Sequence, residues 1–122
     1  MTAQTHDLGL RAEEAVASWL ADRGWTVLAR RWRTPAGELD LVCLDPQRCL
    51  VAVEVKLRST GRTGIGEDAL DRRQAHRLRV ALGEFAAREP VAHLGLRIDL
   101  VALSRATDDR WRLRHLPGID GW

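Results

Sequence analysis

Two aliphatic stretches joined by a short polar turn most constrain what this chain can fold into. The first, Gly37–Leu44, reads Gly-Glu-Leu-Asp-Leu-Val-Cys-Leu. The second, Cys49–Arg58, reads Cys-Leu-Val-Ala-Val-Glu-Val-Lys-Leu-Arg, and Asp45, Pro46, Gln47 and Arg48 lie between them. β-Branched and aliphatic arms around a proline-containing turn predict a hairpin of two strands. Side chains alternate faces along a strand. Strict alternation puts Glu38 and Asp40 on one face, and Leu39 and Leu41 on the other. In the second arm Glu54 and Lys56 share a face, while Val51, Val53 and Val55 line the opposite one. With Asp40 roughly across from Glu54, one patch collects three carboxylates and an ammonium.

Like charges directly opposite one another destabilise a strand pair. A hard divalent cation bound by the carboxylate oxygens removes that cost. A cross-strand salt-bridge cluster on a solvated face is the plainer alternative. Lys56 weighs against it. Of 19 basic residues, Lys56 is the one lysine. A compact point charge on a flexible stem stands here where arginine serves everywhere else, and the two are not interchangeable at such sites.

The paired pattern Gly-Glu-x-Asp-Leu, turn, Glu-Val-Lys-x-Arg resembles the PD-(D/E)xK nuclease superfamily. More closely, the chain is similar to the YraN-like bacterial family, itself similar to archaeal Holliday junction resolvases. The resemblance spans roughly residues 8–116. It implies a restriction-endonuclease-like α/β/α sandwich with one central mixed sheet of about five strands. It also implies a metal-dependent DNA endonuclease acting on branched or damaged DNA, in repair or recombination. The alternative is a nucleic-acid-binding module that keeps the fold without activity. A third reading is a structural protein whose charges form only a salt-bridge network.

Phosphodiester hydrolysis needs a polarised water and relief of negative charge, and a carboxylate-held Mg²⁺ (or Mn²⁺) supplies both. The expected ligands are Asp40, Glu54 and the Val55 carbonyl. Lys56 is expected to steer the water and stabilise charge, with Glu38 and Glu13 completing the acidic cluster. The family's early helical glutamate sits in a Gly-Glu-x-x-Ala setting. Here the match is Ala12-Glu13-Glu14-Ala15-Val16, without the glycine, and Glu13 is preferred over Glu14 because it flanks the apolar stripe.

That stripe, formed by Ala12, Ala15, Val16, Trp19 and Leu20, predicts a helix over 7–23 capped by Asp7 and ended by Gly24. A strand over 25–33 follows. Alternation groups Trp25, Val27, Ala29 and Arg31 on one face, and Thr26, Leu28, Arg30 and Trp32 on the other. Its run of Arg30, Arg31 and Arg33 around Trp32 suits phosphate contact with stacking, or else an edge strand guarded by charge. Residues 59–67, rich in glycine and hydroxyl side chains, predict a mobile loop after Lys56 with Arg62 as a phosphate contact. A second helix is predicted over 68–88, burying Leu70, Leu78, Ala81, Leu82 and Phe85. Gln74 falls on that apolar face, either as a satisfied core amide or reaching the acid patch. Related nucleases carry a helical glutamine at this point, which favours the second reading. Arg73 and Arg77, four apart, join Arg58 as candidate phosphate contacts.

Strands over 94–103 and 111–116 complete the chain, the former with Leu94, Leu96, Ile98, Leu100 and Ala102 on one face. Arg97 and Asp99 share the other, as an ion pair or near the active edge. The four histidines show no ligand spacing. At 122 residues the chain suits a single domain, with tails at 1–7 and 117–122. A net charge of +2 argues only weakly for nucleic acid, so the placement of the arginines must decide. Cys43 and Cys49 lack the further ligands of a zinc site and read as reduced, packed thiols. With no apolar signal segment and no long apolar run, a cytoplasmic protein off the membrane is expected. The expected partner is DNA; a homodimer, built on the exposed parts of five tryptophans, is the second expectation.

Overall fold

The computed structural model describes residues 3–58, 70–106, 108 and 110–119, with side chains from residue 7 onward. Its first element, α1, spans Ala3–Asp22. The start lies ahead of Asp7, which is therefore inside the helix and not its cap. Nothing in residues 3–6 breaks a helix: there is no glycine or proline. Residues 3–7 thus belong to α1 and are not a tail. The end is where the sequence places it. Gly24 has φ +87°. Its N–H donates to the Ala21 carbonyl and that of Trp25 to the Leu20 carbonyl, both at 3.1 Å. This is the Schellman closure that favours glycine.

The strands are β1 (Thr26–Thr34), β2 (Gly37–Leu44), β3 (Cys49–Arg58), β4 (Gly95–Arg105) and β5 (Trp111–Leu116), with α2 (Arg72–Arg88) between β3 and β4. They form one five-stranded sheet in sequence order. Every pairing is antiparallel except β3 with β4, which is parallel because α2 carries the chain across. The result is an α/β sandwich of the restriction-endonuclease-like kind. On one face Ala12, Val16 and Leu20 of α1 pack against Leu41, Val51, Val53 and Val101. On the other, Leu78, Leu82 and Phe85 of α2 pack against Val42, Leu50, Ala52 and Ile98.

Strict alternation fails in two places. A bulge between Val27 and Ala29 sends Val27 to the α1 core and Leu28, Ala29 and Trp32 to the α2 core. The grouping of Trp25, Val27, Ala29 and Arg31 on one face is therefore wrong. The second break is at Arg31 and Asp40. Arg30 opposite Leu41 faces α1, whereas Trp32 opposite Leu39 faces α2. Arg31, with φ 47°, absorbs the change on β1. Leu39 and Leu41 thus lie on opposite faces, contrary to the alternating pattern. The gain is burial of Trp32, edge-on to Phe85 at 5.1 Å.

The helix expected from residue 68 begins at Arg72. Asp71 caps it, accepting the Gln74 N–H at 2.8 Å from an extended backbone. Leu70, just ahead of the cap, is only partly buried against the α2 core. Leu94 is 82% exposed, not part of the buried face assigned to it. Residues 117–119 are tied down: Ile119 N–H donates to the Ile98 carbonyl, and Gly118 N–H to Asp99. Both cysteines are free, Cys43 buried and Cys49 half-buried. The described tryptophans, Trp19, Trp25, Trp32 and Trp111, pack against the two cores. Among the described residues no helix is long and apolar enough to cross a membrane.

Candidate active site

The site forms where two strands part. Pairing of β2 with β3 runs from Leu44 opposite Leu50 to Leu41 opposite Val53 and then stops. The next pair in that register is Asp40 with Glu54. Instead of continuing the ladder, the Asp40 side chain takes over its role: Oδ2 accepts the Val55 N–H at 2.9 Å. The change of face at Asp40 and the end of the ladder are one event. A side chain replaces a carbonyl, and the carboxylate is held at the fork.

Glu54 follows on the α2 side of β3, in hydrogen-bond contact with Asp40. Gln74 of α2 reaches down to it, its Nε2 donating to Glu54 Oε2 at 3.4 Å. The amide on the apolar face of the helix therefore finds its partner in the acid patch. Burial pushes the Glu54 carboxyl up to about 9. The hydrogen bond and negative charge of Asp40 add to this; Lys56 and Gln74 oppose it. The Glu54 carboxyl therefore keeps its proton at neutral pH.

Glu13 approaches from α1. Its carboxyl is raised to about 6, first by burial, then by Asp40 and Glu38, with Arg31 opposing. Glu14 points elsewhere: it accepts two hydrogen bonds from Arg30, both at 3.1 Å, in solvent. Of the two adjacent glutamates, Glu13 is the one turned to Asp40. Glu38 is drawn aside to Arg33 at 2.7 Å, so the acids do not form one flat patch. Lys56 lies two residues beyond Glu54 on the same face and acts on it electrostatically. Among the described residues no three His, Cys, Asp or Glu side chains converge into a metal cage. Asp40 and Glu54 form a pair.

The expected phosphate contacts separate. Arg30, Arg31 and Arg33 each face a carboxylate: Glu14, Glu13 at 4.0 Å, and Glu38. Arg58 is half-buried at the end of β3, and Arg73 and Arg77 are exposed on α2. Arg62 and the loop 59–67 lie outside the described residues.

A second polar cluster sits on the other, α1-facing side of the sheet. Asp99, fully buried, accepts from Arg97 (2.8 and 3.0 Å) and the Gly118 N–H (2.9 Å), and pairs with His115 Nε2 (2.8 Å). Arg97 also bonds Asp45 at 2.8 Å, and Asp45 accepts the Gln47 and Cys49 N–H groups of the turn. Burial by itself raises the Asp99 carboxyl, but hydrogen bonds from His115, Arg97 and Gly118 outweigh it and hold the group below its usual range. Arg97 and Asp99 are thus an ion pair remote from Asp40. The roles of Asp45 and His115 are not readable from sequence, since their partners lie far along the chain.

The strand order, the two helical layers and the acid pair at the fork define a small α/β domain of the restriction-endonuclease-like type. The chain belongs to the YraN-like group described as uncharacterised protein family UPF0102, whose model matches residues 12–103. It is similar to UPF0102 proteins of Beutenbergia cavernae, 38% identical over 92% of this chain and 94% of the relative, and Frankia alni, 40% identical over 91% and 92%. Over the full length of both chains it is 34% identical to the protein of Syntrophotalea carbinolica.

Proposed function

We propose that this protein is a metal-dependent phosphodiesterase that cuts DNA. One observation carries the reading: Asp40 and Glu54 meet at the fork of β2 and β3, with Asp40 tied to the Val55 N–H and Lys56 two residues on. Two acids side by side in a half-buried site are a poor structural solution. A divalent cation between them relieves both desolvation and repulsion.

The donor set fits Mg²⁺. Such ions are commonly held by one or two carboxylates together with water and substrate phosphate oxygens, without an all-protein cage. Asp40 and Glu54 would hold the ion, with the Val55 carbonyl as a further oxygen. When bound, the ion supplies polarisation of phosphate oxygens and relief of their charge. The chain's own residues do the rest. Val55 N–H fixes the Asp40 carboxylate, and Gln74 orients that of Glu54. Lys56 places a positive charge where the phosphorane would gather negative charge. Glu13, its carboxyl raised to about 6, is placed to accept or return a proton near neutral pH. Branched or damaged DNA as the preferred substrate follows from the resemblance to resolvases.

The test is incubation with labelled duplex, flapped, four-way and single-stranded DNA in Mg²⁺ or Mn²⁺, alongside Asp40→Ala and Lys56→Ala. Metal-dependent cutting that both variants lose supports the proposal. No cutting of any substrate, or equal cutting by the variants, sinks it. Tight, salt-sensitive binding without cutting points to the non-catalytic module.

A further inference from the structure

The register of the last three strands extends the α2-side face beyond Glu54. Glu54 lies beside Leu100, Lys56 beside Ala102, and Arg58 beside Ser104. Across β4, Ala102 is opposite Arg114 and Ser104 opposite Arg112. Trp111, Leu113 and His115 turn to the α1 side, where they pack near Trp19 and Trp25. Arg112 and Arg114 therefore share the face of Glu54 and Lys56, and both are exposed. Between the cations in the strand register stand the small side chains of Ala102 and Ser104.

Charge matching distinguishes this edge from the other. On β1 each arginine that flanks Trp32 faces a glutamate, so its field is locally cancelled. Among the described residues no carboxylate pairs with Arg112 or Arg114. Protection of an edge strand against pairing would explain charge on β5. It does not explain charge of one sign, unmatched, and continuous with Lys56 in a chain whose net charge is only +2. On the far side of the acids, the exposed Arg73 and Arg77 rise from α2, next to the Gln74 that contacts Glu54. The acid pair is thus flanked by cations on both sides.

We infer that Arg112 and Arg114 form a phosphate rail of the DNA-binding surface, on the β5 side of the Asp40–Glu54 site. The spacing suits a nucleic acid backbone. Arg114 stands two strands from Lys56, roughly 9.5 Å, and two residues from Arg112, roughly 6.8 Å. Phosphate charges recur every ~3.4 Å of axis along each strand. A strand gripped by the rail passes over Ala102 and Ser104 and delivers a neighbouring phosphodiester to the acids. These are positioning residues, and the inference rests on the DNA reading above.

The test is fluorescence anisotropy of a labelled DNA duplex in EDTA between ~50 and ~200 mM salt. Proteins compared are the wild type, Arg112→Gln, Arg114→Gln, the double variant, and Arg48→Gln on the β2–β3 turn at the other end of the sheet. Each single change is expected to lower the log–log salt slope by about 0.9, and the double by about 1.8, with affinity down about 10- to 30-fold near ~0.15 M salt. Arg48→Gln should match the wild type. Because the singles test the claim separately, a double variant that misfolds does not shield it. Tight, salt-sensitive wild-type binding with unchanged slopes in the variants overturns the rail and leaves the nuclease reading standing. A wild type that binds no duplex also overturns the rail, and the cleavage panel above then decides the nuclease reading.

Discussion

Asp40 accepts the backbone N–H of Val55 at 2.9 Å, at the point where β2 and β3 cease to pair. A strand that peels away from its neighbour leaves backbone donors and acceptors that must find partners. Here a carboxylate provides one. The same bond that satisfies the backbone fixes the acid beside Glu54, so the fork is at once a repair of the sheet and the base of a site.

Lys56→Arg keeps the charge and changes its shape. A planar guanidinium cannot occupy the place of a compact ammonium beside Glu54 without displacing it. Cleavage is expected to fall on the order of 100-fold, with unfolding by urea little changed. Cleavage at wild-type rate would remove Lys56 from the chemistry.

The adjacent glutamates should behave differently. Glu14→Ala removes a surface pair with Arg30, worth about 0–1 kcal/mol, and should leave cleavage intact. Glu13→Gln should lower cleavage by about 10-fold or more while leaving thermal stability equal or higher, since a half-buried carboxylate is replaced by a neutral amide. Single-turnover rates and melting curves for the two variants decide this.

Metal-free protein should lose stability as pH rises. The folded Glu54 carboxyl sits at about 9 against 4.5 in the ordinary case, so the folded state holds a proton that the unfolded chain releases. Its stabilising contribution is complete below about pH 4.5 and is lost as pH climbs through about 9. In a chelator, the melting-temperature difference between wild type and Glu54→Gln should therefore shift against the wild type from pH 5 to pH 9. A difference that stays flat over this range contradicts the raised Glu54 carboxyl.

On the other face of the sheet the sign reverses. Asp99 is held below its usual range, so its contribution is present above the unfolded value and lost as pH falls toward the folded one. Asp99→Ala leaves Arg97 and His115 facing a gap, and should cost about 3–5 kcal/mol in urea unfolding. Cleavage per folded molecule should persist, because the cluster is remote from Asp40.

Much of this was legible beforehand. The two arms of the hairpin, the crossover helix and Gly24 as a helix stop all followed from local pattern. Period-2 and period-3.6 burial, together with glycine's freedom at positive φ, are properties of short segments. The faces of β1 and β2 were not legible. A bulge at Leu28 and a change of parity at Arg31 and Asp40 each flip every later side chain. They accompany the packing of Trp32 on Phe85 of α2, a contact between distant parts of the chain. The β1 arginines, expected to be phosphate contacts, proved to face glutamates drawn from α1 and β2.

The sequence alone determined which acids, which amine and which amide this chain carries, and the strands and helices that bear them, because those follow from residue type and near-neighbour spacing. Tertiary structure decided which of them meet. Gln74 reaches Glu54, Glu13 turns to Asp40, and Asp99 gathers His115, through contacts between residues 16 to 27 positions apart. Such meetings depend on where strands stop pairing and how helices cross the sheet, and no local pattern encodes them.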